Sequence, residues 1–212
     1  MNKLIIVLLS SIIMSCNPNS TKLDKSENRI ENMSDLVSEP DIDIRLAAQK
    51  MITDSTIIKT NTPIRYVLFD EKQRAKQVDL KNTEIDDYES QYLIYSDSTK
   101  IIKAIKEIPF SQSGDWYIEQ THYFDNKGKT FGLQKQFNTF HHDESCGGDS
   151  PIFVNTIQLY NQGKLIIKRE TVRDINKKNI TKDSCSYNKI DIPIYSNLSD
   201  LLNAAKIDLK IR

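Results

Sequence analysis

Between Arg65 and Val172 the chain repeats one pattern: runs of five to nine residues that alternate apolar and polar, each ended by a short polar turn. The runs are Arg65–Phe69, Gln91–Tyr95, Lys100–Ile108, Trp116–Phe124, Lys129–Phe137, Ile152–Tyr160 and Lys164–Val172. They are rich in β-branched and aromatic residues, and a period of two predicts strands with one buried and one wet face. Parallel neighbours need a crossover of a dozen or more residues, so the short connections between most of these runs restrict the chain to antiparallel pairing. The expected fold is mainly β (α+β). It is an antiparallel meander, as a curved sheet, a sandwich or an up-and-down barrel, with a short helix near each end.

The turns share a chemistry. VLFDEKQRAK, LIYSDSTKII, HYFDNKGKTF and QLYNQGKLII each place an aromatic residue before a polar turn and a basic residue after it. Gly128 and Gly163 supply the positive φ that tight hairpins require. The segments look like the Tyr-Asp-x-x-Gly-Lys hairpins of MORN-like meander proteins. Phe69, Phe124 and Tyr160 are spaced 55 and 36 residues apart, however, so the likeness is one of hairpin chemistry and not of a regular repeat.

Two segments have helical spacing. Ile44, Ala47, Ala48, Met51 and Ile52 predict a helix over Asp41–Thr53 with Asp41 as N-cap, and Leu198, Leu201, Leu202 and Ala205 predict another, capped by Ser196 or Asn197. A last short strand is expected over Ile207–Ile211.

The N-terminus has a different logic. Lys3 precedes an apolar stretch, Leu4–Met14, broken only by Ser10 and Ser11. That is the length of a signal-peptide core and too short to span a bilayer. Ile13 at −3, Ser15 at −1 and Cys16 at +1 resemble a bacterial lipobox. The resemblance implies cleavage before Cys16, diacylglycerol on its thiol, usually an acyl group on the freed amine, and membrane attachment through those chains. Asn17 is not the aspartate of an inner-membrane retention signal, so the outer membrane of the cell envelope is expected. The organisation is then a signal peptide over 1–15, a lipidated tether over the polar stretch 16–40, and one β-rich domain over 41–212.

Loss of fifteen residues leaves 197, which suits a single domain and its tether. Lys+Arg and Asp+Glu both number 29, so no net field favours nucleic acid, and none is expected as a partner. Of three cysteines, one is committed to lipid. In an oxidising compartment the remaining two, Cys146 and Cys185, are expected to pair and close a 39-residue loop.

Few residues invite chemistry. His141, His142 and Asp143 lie in the run HHDESCGGD and have the ligand types of a metal site, but adjacent histidines on a strand point apart. The bland reading, a polar loop stiffened by a disulfide, is preferred. His122, in mid-strand, is read as a satisfied sheet residue. No Gly-x-Ser-x-Gly elbow occurs, and Ser111-Gln112-Ser113-Gly114-Asp115 reads as a turn. No phosphate-binding glycine loop occurs either, and no cofactor is expected. Tyr92, Tyr95, Trp116, Tyr117 and Tyr123 are candidates for an exposed aromatic patch, although aromatics at strand spacing more often pair across a sheet. Asp54-Ser55-Thr56 and Asp97-Ser98-Thr99 resemble O-glycosylation tripeptides of some Gram-negative periplasmic proteins.

No catalytic residues are assigned. The favoured expectation is a non-enzymatic envelope lipoprotein that binds a protein, glycan or lipid, or serves a structural role. The alternatives are a lipocalin-like carrier of an apolar ligand, and a hydrolase or metalloenzyme using the His141–Asp149 loop.

Overall fold

The computed structural model describes residues 41–60, 62–81, 85, 88–146, 148–180 and 185–209; the expected signal segment, Cys16 and the expected tether lie outside these. Nine strands form one antiparallel sheet: β1 (Ile64–Leu68), β2 (Lys76–Val78), β3 (Ser90–Ser96), β4 (Ile102–Pro109), β5 (Trp116–Phe124), β6 (Thr130–Thr139), β7 (Ile152–Asn161), β8 (Lys164–Arg173) and β9 (Asn179–Ile180). The spatial order is β2-β1-β3-β4-β5-β6-β7-β8-β9. Among the curved sheet, the sandwich and the barrel, the chain adopts an open sheet with β2 and β9 at its edges. The described strands do not close into the barrel that a lipocalin-like carrier needs.

The hairpins owe their form to aspartate as much as to glycine. The Asp97 carboxylate accepts from the backbone N–H of Thr99 and Ile101, and that of Asp125 accepts from Lys127 and Lys129. These side chains satisfy turn amides that the ladder leaves unpaired. Gly128 takes a φ of 74° in the second turn, whereas Lys100 occupies the equivalent place in the first with a φ of 66°. Gln162 and Gly163, both at positive φ, make the two-residue turn between β7 and β8.

Helix α1 (Ile42–Thr60) is longer than the sequence pattern predicts, continuing through the β-branched stretch after Thr53. The Asp41 carboxylate accepts from Asp43 N–H, as an N-cap does. The helix crosses one face of the sheet over β7, β3 and β4. There Leu46 packs with Ala104, Tyr123, Phe131 and Leu159. Gly132 lies in this layer, and a Cβ on it would come within 3.2 Å of Leu159. We call this side the helix face.

The opposite side is closed by the C-terminal chain. An extended strap, residues 185–197, runs across it into helix α2 (Leu198–Ala204), which Asn197 caps by accepting from Asp200 N–H. Leu201, Ala205 and Ile207 pack on Tyr66, Tyr92, Ile94, Ile105 and Phe124. Farther down, Tyr187, Ile190 and Ile192 cover Ile118, Phe137, Val154 and Val172. The Cys146 and Cys185 sulfurs stand at disulfide distance and pin the strap at its start. This is the strap face. The strand expected over 207–211 is not part of the sheet: residues 207–209 have no regular structure, and 210–211 lie outside the described residues.

Candidate functional site

Directly paired residues share a face, so the register sorts each candidate. One row on the strap face is Tyr66, Tyr92, Glu107, Gln120, Lys135, Thr156 and Glu170. Its polar members serve the strap. Gln120 donates to the Pro193 carbonyl at 2.9 Å, Lys135 donates to that of Ile190, and Tyr187 of the strap donates to Glu170 at 3.1 Å. Two residues up from Gln120, His122 accepts the Tyr195 N–H at 3.3 Å through Nε2 and has no solvent exposure. Burial lowers its pKa to about 4, which keeps the ring neutral and able to accept. His122 is thus a strap anchor in the core. Tyr92 donates to Glu107 at 3.2 Å, and burial raises the Glu107 carboxyl to about 7. A small cavity of about 150 Å³ remains between the strap and this row.

The histidines of the 139–151 loop diverge. The His141 ring meets the Asp115 carboxylate, while the His142 ring lies between the carbonyls of Asp143 and Ser150, at 2.9 and 2.8 Å. Among the described residues no three His, Cys, Asp or Glu side chains converge as a metal site would require. Ser113, Asp115 and His141 are joined, but in the wrong order for nucleophilic catalysis. The serine hydroxyl donates to the aspartate, so no imidazole is placed to take its proton. Those two hydrogen bonds, Ser113 first, lower the Asp115 pKa.

The aromatic candidates do not form one patch. Tyr92 is 5 % exposed and lies on the strap face, Trp116 packs there at the edge of the lower core, and Tyr123 is 3 % exposed beneath α1. Tyr117 alone of these four is open, at 44 %. Strand alternation divides Trp116 from Tyr117, and the two coverings then bury the rest. Of the glycosylation-like tripeptides, Ser98 is exposed at the tip of the β3–β4 turn and Ser55 is half-buried within α1.

A concave site lies on the helix face, where α1 leaves the lower sheet uncovered. It is a groove of about 290 Å³ walled by Asp54, Ile57 and Ile58 of α1. Its floor is built from two rows, Lys106–Thr121–Gln134 and Glu119–Gln136. Lys106 and Glu119 pair at 2.5 Å, and Tyr117 donates to the other Glu119 oxygen at 2.7 Å. Asp54 pairs with Lys50 at 2.7 Å. Tyr123 donates to Gln134 at 3.1 Å, and burial, reinforced by Asp54, raises its pKa. The charges of the groove are therefore satisfied in pairs. What remains toward the cavity is a hydroxyl, an amide and an aliphatic wall, chemistry suited to hydrogen bonding and packing. The sequence offered half of this: Tyr117, Glu119, Thr121 and Tyr123 share one side of a strand by alternation, but nothing local shows where α1 will lie.

Comparison with protein-family models, curated proteins and solved structures returns no match.

Proposed function

We propose that this chain is a lipid-anchored envelope protein whose β domain is a recognition module, binding its partner in the groove of the helix face. The observation that carries the reading is the groove itself, concave and mainly apolar in its lining, with its charged groups already paired and a few hydrogen-bonding groups on its floor. The lipobox-like Ile13-Met14-Ser15-Cys16 supports attachment, and the polar stretch to Pro40 supplies a tether. Two acyl chains or more would hold such a protein stably at a membrane.

Two measurements test it. Cells expressing the chain are fed a palmitate analogue: the wild type takes up label and fractionates with membranes, and Cys16→Ala does neither. Equal labelling of both, or of neither, removes the anchor. Groove substitutions such as Gln136→Lys abolish capture of the envelope ligand while the domain stays folded. Unchanged capture removes the site.

A further inference from the structure

We infer that the helix-face groove takes a neutral, polyhydroxylated ligand, a glycan chain that enters beside α1 and extends down the open sheet over Gln136 toward Tyr117 and Phe153. The inference rests on the recognition-module reading and names its ligand class.

Three observations carry it. The first is a pair of polar groups lining the groove that no other described side chain engages, one on a buried residue and one at the open surface. Thr121 is nine-tenths buried, lines the groove, and its hydroxyl has no hydrogen-bond partner among the described residues. The Gln136 amide, one strand over and two residues along, stands exposed at the groove's open side and has none either among the described residues. A hydroxyl and a carboxamide each donate and accept, as sugar hydroxyls do.

The second is charge. Lys106–Glu119 and Lys50–Asp54 cancel within the site. An anionic ligand would meet two carboxylates, and a cationic one two ammonium groups. Neither is drawn in, whereas a neutral polar ligand is held without breaking an ion pair. An acyl chain would cover the Thr121 hydroxyl and offer it no partner, which is costly. A peptide adding as a strand needs a free sheet edge, and the edges are β2 and β9, remote from these central strands.

The third is the continuation of the surface. From the groove floor the row Glu119–Gln136 continues through Asn155 to Thr171, and below it Tyr117–Asn138–Phe153–Arg173 runs across β5 to β8 on the same face. Tyr117 and Phe153, the latter 37 % exposed, sit two strands apart, roughly 10 Å. Thr121 to Tyr117 adds about 13 Å along the strand. Ile58, 72 % exposed on the wall of the groove, offers an aliphatic surface at the near end. Amides flanked by apolar surfaces at both ends match a chain of rings with polar edges and C–H faces.

The test titrates the full chain, held in a detergent without sugar headgroups, with cellohexaose, maltohexaose and chitohexaose, and with an acidic hexauronate for comparison. At least one neutral hexasaccharide binds and its disaccharide binds more weakly; added salt leaves the affinity unchanged, and the hexauronate does not compete. Thr121→Val and Gln136→Ala each weaken binding about tenfold, and Tyr117→Ala severalfold, with thermal unfolding unaltered. Two results overturn the inference: none of the neutral sugars binds, or Thr121→Val and Gln136→Ala bind as the wild type does. If the sugars fail while groove substitutions still abolish capture of an envelope protein, the glycan class falls and the recognition reading stands. If the substitutions change neither, both fall.

Discussion

The two faces of this sheet are built from the same strands and covered in opposite ways. On the strap face three polar residues of the central strands are engaged by the chain itself: His122, Gln120 and Lys135 each hold a backbone group of residues 190–195, while Glu107 Oε2 and His122 Nδ1 stay buried without a hydrogen-bond partner among the described residues. On the helix face α1 covers only the upper layer, and Thr121 and Gln136 remain unengaged. A polar residue on a strand becomes structural or functional according to what crosses over it.

The contrast predicts that changes on the strap face cost stability and changes on the helix face cost binding. The largest effect is expected at the disulfide. Replacing Cys146 and Cys185 by alanine removes the constraint on a 39-residue loop, a loss of roughly 4 kcal/mol on chain-entropy grounds. Denaturant unfolding of the double variant checks it. A midpoint equal to wild type would mean that the strap is held by its packing alone.

A second prediction sets two buried groups of the strap face against each other. Glu107 has a folded pKa of about 7 against 4.5, so between those values the native state keeps a proton that the unfolded chain has lost. Its contribution to stability falls as pH rises through that window. His122, at about 4 against 6.5, refuses a proton that the unfolded chain accepts, so its contribution rises with pH over nearly the same window. Each effect amounts to about 3 kcal/mol across its range, and the two oppose. The wild type is expected to show little pH dependence from about 4.5 to 6.5 arising from this pair. Glu107→Gln unmasks stability that climbs with pH, and His122→Gln unmasks stability that falls. Parallel slopes in the two variants would break the assignment.

Smaller effects follow. Asn197→Ala removes the cap of α2 and costs about 1 kcal/mol by thermal unfolding. Breaking the Lys106–Glu119 pair with Lys106→Met changes stability by less than about 1 kcal/mol, because the pair is partly exposed. A larger loss there would make the helix face a structural face like its opposite.

The sequence made some of this legible and hid the rest for identifiable reasons. The seven alternating runs correspond to seven strands, and Gly128 and Gly163 mark real turns, because alternation and positive φ are local properties. Strands β2 and β9, of three and two residues, are too short to alternate. The extension of α1 to Thr60 runs through β-branched residues with low helix propensity, stabilised by packing of Ile57 that only the tertiary structure supplies. The His122 and Gln120 partners lie 73 residues away in the chain, so no window of sequence could show that these side chains are anchors. The groove is hidden for the same reason, since its floor and its wall come from elements far apart in the chain.

The asymmetry of the two faces is measured most directly by hydroxyl-radical footprinting of the folded full chain, read by mass spectrometry at single tyrosines. Tyr117 is expected to oxidise rapidly, while Tyr92, under α2, and Tyr123, under α1, oxidise only at the rate of global unfolding. Reduction of the disulfide should raise the rate at Tyr187 of the strap before it changes that of Tyr123. Rapid oxidation of Tyr92 in the native, disulfide-bonded protein, with Tyr117 protected, would show that the strap face is the open one and would contradict the account.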